Sequence, residues 1–222
     1  MPRLFAIGDI HGCYKTFYEL VVKVIDLKKT DRLILLGDYI DRGDQSKEVI
    51  DFIIDLIKKG FDVLPLTGNH ESMLLESYSD PGMLYQWFMN SADTTLQSFG
   101  IRDIREIGQE YIDFFSGLKF YESLGNYLFV HAGFNDHAAD PFSDKHHMIW
   151  ESRPYYENPL LSGKTIIHGH RPKNIDFVQK LINEKSNVIP IDTGCVYEKE
   201  LGYGFLSALE VNRMKLCSVP NL

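Results

Sequence analysis

Gly8-Asp9-Ile10-His11-Gly12 (GDIHG) follows directly on the apolar run Leu4-Phe5-Ala6-Ile7. Alone, this stretch fits a polar turn at a strand end with a solvated histidine, because Gly and Asp are ordinary turn residues. Four more apolar runs end in the same manner. Leu33–Leu36 leads into Gly37-Asp38-Tyr39-Ile40-Asp41-Arg42-Gly43 (GDYIDRG), and Leu64–Thr67 into Gly68-Asn69-His70-Glu71 (GNHE). Tyr127–Val130 leads into His131-Ala132-Gly133 (HAG), and Thr165–His168 into Gly169-His170-Arg171-Pro172 (GHRP). In α/β sheets, ligands bind in the crevice outside the carboxyl ends of the strands. Five strand ends carrying Asp, His or Asn, usually beside glycine, therefore predict one convergent site rather than five unrelated turns.

The periodicity around these runs predicts a mixed-sheet α/β domain. Strands are expected at 4–7, 32–36 and 61–66, separated by helices at 15–28 and 46–59. In the second helix Val49, Ile50, Ile53, Ile54 and Ile57 share one face, and Gly60 lies just past the end. Residues 71–99 read as helical and aromatic-rich, and 108–117 as a short helix. Gly125-Asn126 marks a hairpin turn between Phe120-Tyr121 and Tyr127–Val130. The last third reads as strands at 164–167, 176–182, 187–191, 204–211 and 213–219, the final pair joined near Asn212. A parallel β-α-β opening followed by antiparallel strands gives mixed sheets. With 222 residues, one domain spanning 1–222 is the expectation.

Composition excludes several classes. Hydrophobic residues are 44% and charged residues 24%, the balance of a soluble globular chain. No apolar run approaches the roughly 20 residues that cross a bilayer, and the first apolar run breaks at Gly8-Asp9, unlike a signal peptide, so no membrane is expected. Cys13, Cys195 and Cys217 have no metal-ligand spacing and read as reduced thiols of a cytoplasmic protein. A net charge of −8 argues against nucleic acid as a partner. An anionic substrate would need local positive charge to overcome that field. The oligomeric state is left open.

The residue set at the strand ends supports metal binding. Asp, His and Asn offer mixed oxygen and nitrogen ligands without thiolate, which suits Mn, Fe or Zn better than Ca or a structural cysteine site. Six candidates exceed what one four-coordinate ion uses, and a shared carboxylate points to a two-metal arrangement.

GDIHG, GDYIDRG, GNHE, the isolated HAG and GHRP, in this order, resemble the calcineurin-like metallophosphoesterases. Within them the likeness is to the phosphoprotein phosphatase branch in its compact bacterial and phage form. It runs from residue 4 to about 195, since Ile191-Asp192-Thr193-Gly194-Cys195 also resembles a late segment of compact bacterial members. The resemblance implies a four-layer αββα sandwich of mixed β-sheets with metals at the strand carboxyl ends. It implies two divalent ions, Mn foremost with Fe or Zn as alternatives. Asp9 and His11 would hold one, Asp38 would bridge both, and Asn69, His131 and His170 would complete the second. Arg42 matches a phosphate-binding arginine, His70 the general acid and Asp41 its orienting carboxylate. Arg153, in Trp150-Glu151-Ser152-Arg153, matches a second phosphate arginine more loosely. The wider superfamily often ends in Gly-His-x-His; Pro172 replaces that last histidine here, as is common in the phosphatase branch.

The implied activity is metal-dependent hydrolysis of phosphate monoesters by an activated water, of the serine/threonine protein phosphatase type, on a phosphoprotein or small phosphoester. The nearest rival is a symmetrical bis(5'-nucleosyl)-tetraphosphatase, whose members tend to show Ala-Arg-Gly-Pro where this chain has Asp41-Arg42-Gly43-Asp44. A rival of another class is a non-catalytic metal-binding scaffold, which would not need His70 or Arg42. If residues 71–110 form a wall of the site, its only bases are Arg102 and Arg105, facing seven acids from Glu71 to Glu110, a poor seat for a polyphosphate. Other readings stay open. Glu71 is either a first-turn helix acid or a support for the site, His168 is a strand histidine or an added ligand, and Cys13 is packed or redox-sensitive. His137, His146 and His147 read as solvated loop histidines, and Tyr78, Tyr85, Trp87 and Phe88 as helical core.

Overall fold

The computed structural model describes residues 2–197 and 202–222. The chain opens with β1 (Leu4–Ile7), then α1 (Tyr14–Tyr18) running into a π-helical turn at Glu19–Val24, β2 (Arg32–Leu35), α2 (Ser46–Lys58) and β3 (Asp62–Pro65). Three helices follow, α3 (Asn69–Glu76), α4 (Pro81–Phe88) and α5 (Ala92–Phe99), then a 3₁₀ turn at Ile104–Glu106 and α6 (Gln109–Ser116). The second half holds β4 (Tyr121–Leu124), β5 (Tyr127–Val130), α7 (Lys145–Trp150), β6 (Thr165–His168), α8 (Ile175–Asn183), β7 (Val188–Pro190), β8 (Phe205–Glu210) and β9 (Lys215–Pro220).

The strands form two mixed sheets, β3-β2-β1-β8-β9 and β4-β5-β6-β7. β1, β2 and β3 are parallel, while β8 runs against β1 and carries β9 as a hairpin. β5, β6 and β7 are parallel, with β4 antiparallel at the edge. Period-two alternation decides what each face meets. Phe5, Ile7, Leu33, Leu35, Leu206 and Ala208 point to the helical layer, against Phe17, Leu20, Ile50 and Ile53. Ala6, Ile34, Leu36 and Leu209 point the other way and pack on Phe129, Ile167 and Ile189 of the second sheet. On that sheet's far side, Leu128, Val130 and Ile166 meet Met148 and Ile149 of α7. The result is helices, sheet, sheet and helix in four layers. Because β1, β2 and β3 share a direction, as do β5 and β6, their carboxyl ends gather at one edge of the sandwich.

The structure corrects the sequence reading in four places. Residues 176–182, expected as a strand, belong to α8. Asn174 caps it by accepting the Asp176 N–H at 2.8 Å, and the buried Val178 and Ile182 recur at helical spacing, Asp176 opening and Lys180 closing the helix. The expected helical stretch 71–99 is three helices. Asp80 accepts the Gly82 N–H at 2.8 Å ahead of Pro81 to start α4, and Ser91 at φ 72° breaks the chain before α5. The helix expected over 15–28 ends in π geometry at Val24. His146 and His147 lie in α7 rather than in a loop.

Candidate functional site

The residues at the gathered strand ends adopt unusual backbone. His11, Asp38, Asp41, Arg42 and His170 all have positive φ, between 46° and 71°. Such conformations cost a non-glycine residue on the order of 1–3 kcal/mol and cluster where function fixes them. Two glycines let these segments close on one another. A Cβ on Gly68 would land on the Asp38 carboxylate, and one on Gly169 on that of Asp9.

Asp38 stands at the centre. Its Oδ2 lies 3.5 Å from Nε2 of His11 and 3.5 Å from Nε2 of His131. Nε2 of His131 is 3.0 Å from Asn69 Oδ1 and 3.1 Å from His170 Nδ1, and the last two are 3.1 Å apart. Two trios of ligand atoms result, each within 4.8 Å: His11, Asp38 and His70, and Asp38, His131 and His170. Asp38 belongs to both.

The hydrogen bonds set the tautomers. Nδ1 of His11 donates to the Ile40 carbonyl at 2.9 Å, and Nδ1 of His131 to the Leu36 carbonyl at 2.9 Å. A carbonyl only accepts, so each Nε2 keeps its lone pair facing Asp38, the arrangement that metal-binding histidines use. Burial pushes His11 and His131 below the ordinary imidazole range, and burial together with His131 brings His170 to about 3. All three are neutral bases. Burial opposes charge on Asp38, and with His11, His131 and His170 neutral it is the raised His70 whose charge holds the Asp38 carboxylate below the usual range.

Asp9 lies outside both trios, with its two oxygens each 3.0 Å from the backbone N–H of His170. Burial, then repulsion from Asp192 and Asp38, raises it well above an ordinary carboxylate. Asp192, buried as well, is pushed up to about 7. Buried acids that repel one another beside neutral imidazoles make a donor set that a divalent cation would stabilise. The residues present therefore fit metal ions.

A second buried group adjoins the first. His70 Nδ1 donates to Asp41 Oδ2 at 2.6 Å, and Asp41 also accepts from Trp87 Nε1 at 2.8 Å and Thr95 Oγ1 at 2.5 Å. Burial disfavours the charged imidazole, but Asp38 and Asp41 outweigh it and raise His70. Arg42 Nη1 donates to His11 Nε2 at 2.9 Å and to the Tyr197 hydroxyl at 3.1 Å, over whose ring the guanidinium lies. A metal on His11 Nε2 requires Arg42 to move off that nitrogen. Glu71 accepts the N–H groups of Tyr39 at 2.8 Å and of Asp38 and Gly68 at 2.9 Å, tying the GDYIDRG segment to GNHE. It supports the site.

The remaining candidates divide. Arg153 follows α7, on a segment packed against Gly133, and lines a cleft beside the cluster with His168, Arg171 and Lys173 rather than joining either trio. His168 is buried with Nδ1 on the Gly169 carbonyl and is not in either trio. Cys13 is buried. Trp87 is core as expected and additionally holds Asp41, whereas Tyr78, Tyr85 and Phe88, expected in the core with it, are exposed. Sequence reasoning missed Thr95, Trp87 as a donor, Tyr197 and Asp192. Only Asp192 carried a signal, as part of the Ile191–Cys195 segment.

Two mixed sheets packed face to face, with Asp, His and Asn gathered around one shared carboxylate at their edge, define a metallophosphoesterase. The chain belongs to the calcineurin-like phosphoesterase family, whose match spans residues 2–199. It is 27% identical to the asymmetrical bis(5'-nucleosyl)-tetraphosphatase PrpE of Bacillus velezensis, covering 90% of this chain and 87% of that protein. It is 26% identical to serine/threonine-protein phosphatase 2 of Salmonella typhimurium, covering 90% of this chain and 91% of that one. Among solved structures, a putative diadenosine tetraphosphatase superposes with a TM-score of 0.70 at 20% identity, over 100% of this chain and 96% of that one. The cold-active protein-tyrosine phosphatase of a Shewanella species superposes at 0.66 with 18% identity, over 100% and 81%.

Proposed function

We propose that residues 1–222 form one catalytic domain that hydrolyses phosphate monoesters with poor leaving groups, of the phosphoserine and phosphothreonine type, in the cytoplasm. The buried Asp41–His70 pair carries this reading. A departing alkoxide is a strong base and needs a proton as the bond breaks, whereas a nucleoside diphosphate leaves as a stable anion. A histidine held ready for protonation by a carboxylate that three donors fix in place supports the first case.

Asp9, His11, Asp38, Asn69, His131 and His170 would hold two divalent ions, Mn foremost, with Asp38 between them. When bound, the ions supply Lewis acidity that lowers the pKa of a water and neutralises phosphoryl charge. His70 gives its Nε2 proton to the leaving oxygen, and Asp41 keeps the imidazole oriented and charged. Arg42, released from His11 and from His70 Nε2, 3.4 Å from its Nη2, forks onto the non-bridging phosphoryl oxygens, with Arg153 as a second cation from the cleft side. Glu71 keeps the Asp38 and Gly68 segments in register.

The names of the relatives favour a second reading, dinucleoside tetraphosphate hydrolysis. Matched kcat/KM measurements with Mn separate the two. Phosphoserine and phosphothreonine peptides are expected to exceed diadenosine tetraphosphate, with all activity lost on chelation and regained with Mn. The reverse order moves the assignment to the second reading, where two nucleoside diphosphates as products mark symmetrical cleavage.

A further inference from the structure

On the outward face of β6 and β7, next to the ligand cluster, lies a cleft of about 330 Å³. Arg153, Arg171 and Lys173 stand along it, and Phe177 and Leu181 of α8 with Pro190 of β7 form an apolar wall. None of the residues lining it is acidic, in a chain of net charge −8. Among the described residues, no ion pair engages any of the three cations. Like charges lining one cleft with no acid on its wall repel one another, and an anion relieves that repulsion. Phe177 is 45% exposed, although Val178 beside it is buried, so α8 turns an aromatic ring toward the cleft side instead of the core.

The two halves of the cleft ask for one ligand. Inorganic phosphate would use the cations and leave the wall bare, and an uncharged aromatic would do the opposite. A volume near 300 Å³ is the lower range of small-molecule sites. Arg171, which lines the cleft, directly follows His170 of the ligand cluster in the chain. We infer that this cleft is a nucleotide subsite, which takes the base of a nucleoside phosphate against Phe177, Leu181 and Pro190 and its phosphates on Arg171, Lys173 and Arg153. The nucleotide is either the distal half of a dinucleoside polyphosphate under hydrolysis or a separate molecule bound beside the centre.

The test is calorimetric titration of ADP into the Mn-loaded protein with vanadate saturating the metal centre, and inorganic phosphate as the comparison probe. ADP is expected to bind, and to bind more tightly than phosphate. Lys173→Glu removes one charge-assisted contact and Phe177→Ala one stacking surface, and each is expected to weaken ADP about tenfold. The inhibition constant of vanadate, read with p-nitrophenyl phosphate, serves as the fold control and should move less than about twofold, well under the tenfold step. A parallel rise in KM for diadenosine tetraphosphate in both variants makes the cleft the seat of the substrate's distal half. Weakened ADP with that KM flat makes it the seat of a separate nucleotide. ADP no tighter than phosphate, or ADP affinity indifferent to both substitutions, overturns the subsite. The titration reads the cleft even if phosphopeptides prove not to be substrates, so the two failures are distinct.

Discussion

Replacing Asp41 by Asn tests whether the His70 pair is a proton donor or a structural bond. Asp41 is wholly buried and faces His70, Thr95 and Trp87, all donors, so its two oxygens are fully used as acceptors. Asparagine keeps the shape but loses the charge, and its amide N–H₂ must face one of those donors. A hydrogen bond to a charged group contributes about 1.5–3 kcal/mol. Losing it from the protonated form of His70 lowers the imidazole's proton affinity by roughly one to two pKa units, since one unit is about 1.4 kcal/mol. At a pH above the value at which His70 titrates, the fraction of His70 able to donate then falls by about tenfold to a hundredfold, reaching the lower end of the ~10²–10⁴ that general acid catalysis contributes. The loss should depend on the leaving group. Alkyl phosphates and phosphoserine peptides should lose that full factor in kcat, phenyl phosphate less, and p-nitrophenyl phosphate about threefold or under, because nitrophenolate departs with little help. The assay is kcat across this series for Asp41→Asn against the parent at equal metal content. An equal loss on every ester would refute the reasoning, since a distorted site slows all leaving groups alike.

Two further outcomes are expected. Glu71→Gln leaves one of three buried backbone donors facing an amide N–H₂ and should cost about 2–4 kcal/mol in urea unfolding; a change within about 0.5 kcal/mol would remove Glu71 from its supporting role. Asp31 accepts from Arg3 Nε at 3.1 Å and from the Lys28 N–H at 2.8 Å, and although burial pushes its carboxyl up, these donors bring it below the ordinary value. Because the folded value is the lower one, the unfolded chain binds more protons, so this stabilisation is complete above the ordinary carboxylate value near ~4 and fades as pH falls through the folded one. Asp31→Asn should thus cost about 1–2 kcal/mol at pH 7 and nothing at pH 2, read by urea unfolding at both; an equal cost at both would sink the linkage.

The strand ends were legible because parallel strands of opposite surroundings repeat one rule. Each ends an apolar run with a residue that carries lone pairs, in four of the five directly next to a glycine that lets a neighbour approach. His11, Asp38, Asn69, His131 and His170 follow that rule and converge. Asp9 follows it too, yet its carboxylate turns onto the His170 N–H, a difference of side-chain direction that a motif does not encode. α8 was illegible for a related reason. Its run Ile175-Asp176-Phe177-Val178 presents neighbouring apolar residues to two sides, one to the core and one to the cleft, which blurs the helical stripe into a strand-like one.

The support of the site was hidden by sequence distance, and that distance also misplaced its charge. Asp41 takes its donors from Trp87 and Thr95, 46 and 54 positions away, on helices that read as ordinary core. Because those helices do approach the site, residues 71–110 looked like the wall whose charge would decide between a monoester and a polyphosphate. Its two bases are elsewhere. Arg102 and Arg105 border a surface hollow with Tyr78 and Phe88, and Arg105 pairs with Asp103. The residues of 71–110 that reach the centre do so as Glu71, Trp87 and Thr95, which bond inward and leave no charge for a substrate's chain. The cations beside the cluster, Arg153, Arg171 and Lys173, come from 153–173 instead, and no acid lines the cleft they share. The acidic count over 71–110 therefore does not weigh against a polyphosphate. What still favours the monoester is His70 on Asp41, and the leaving-group series above bears on that feature directly.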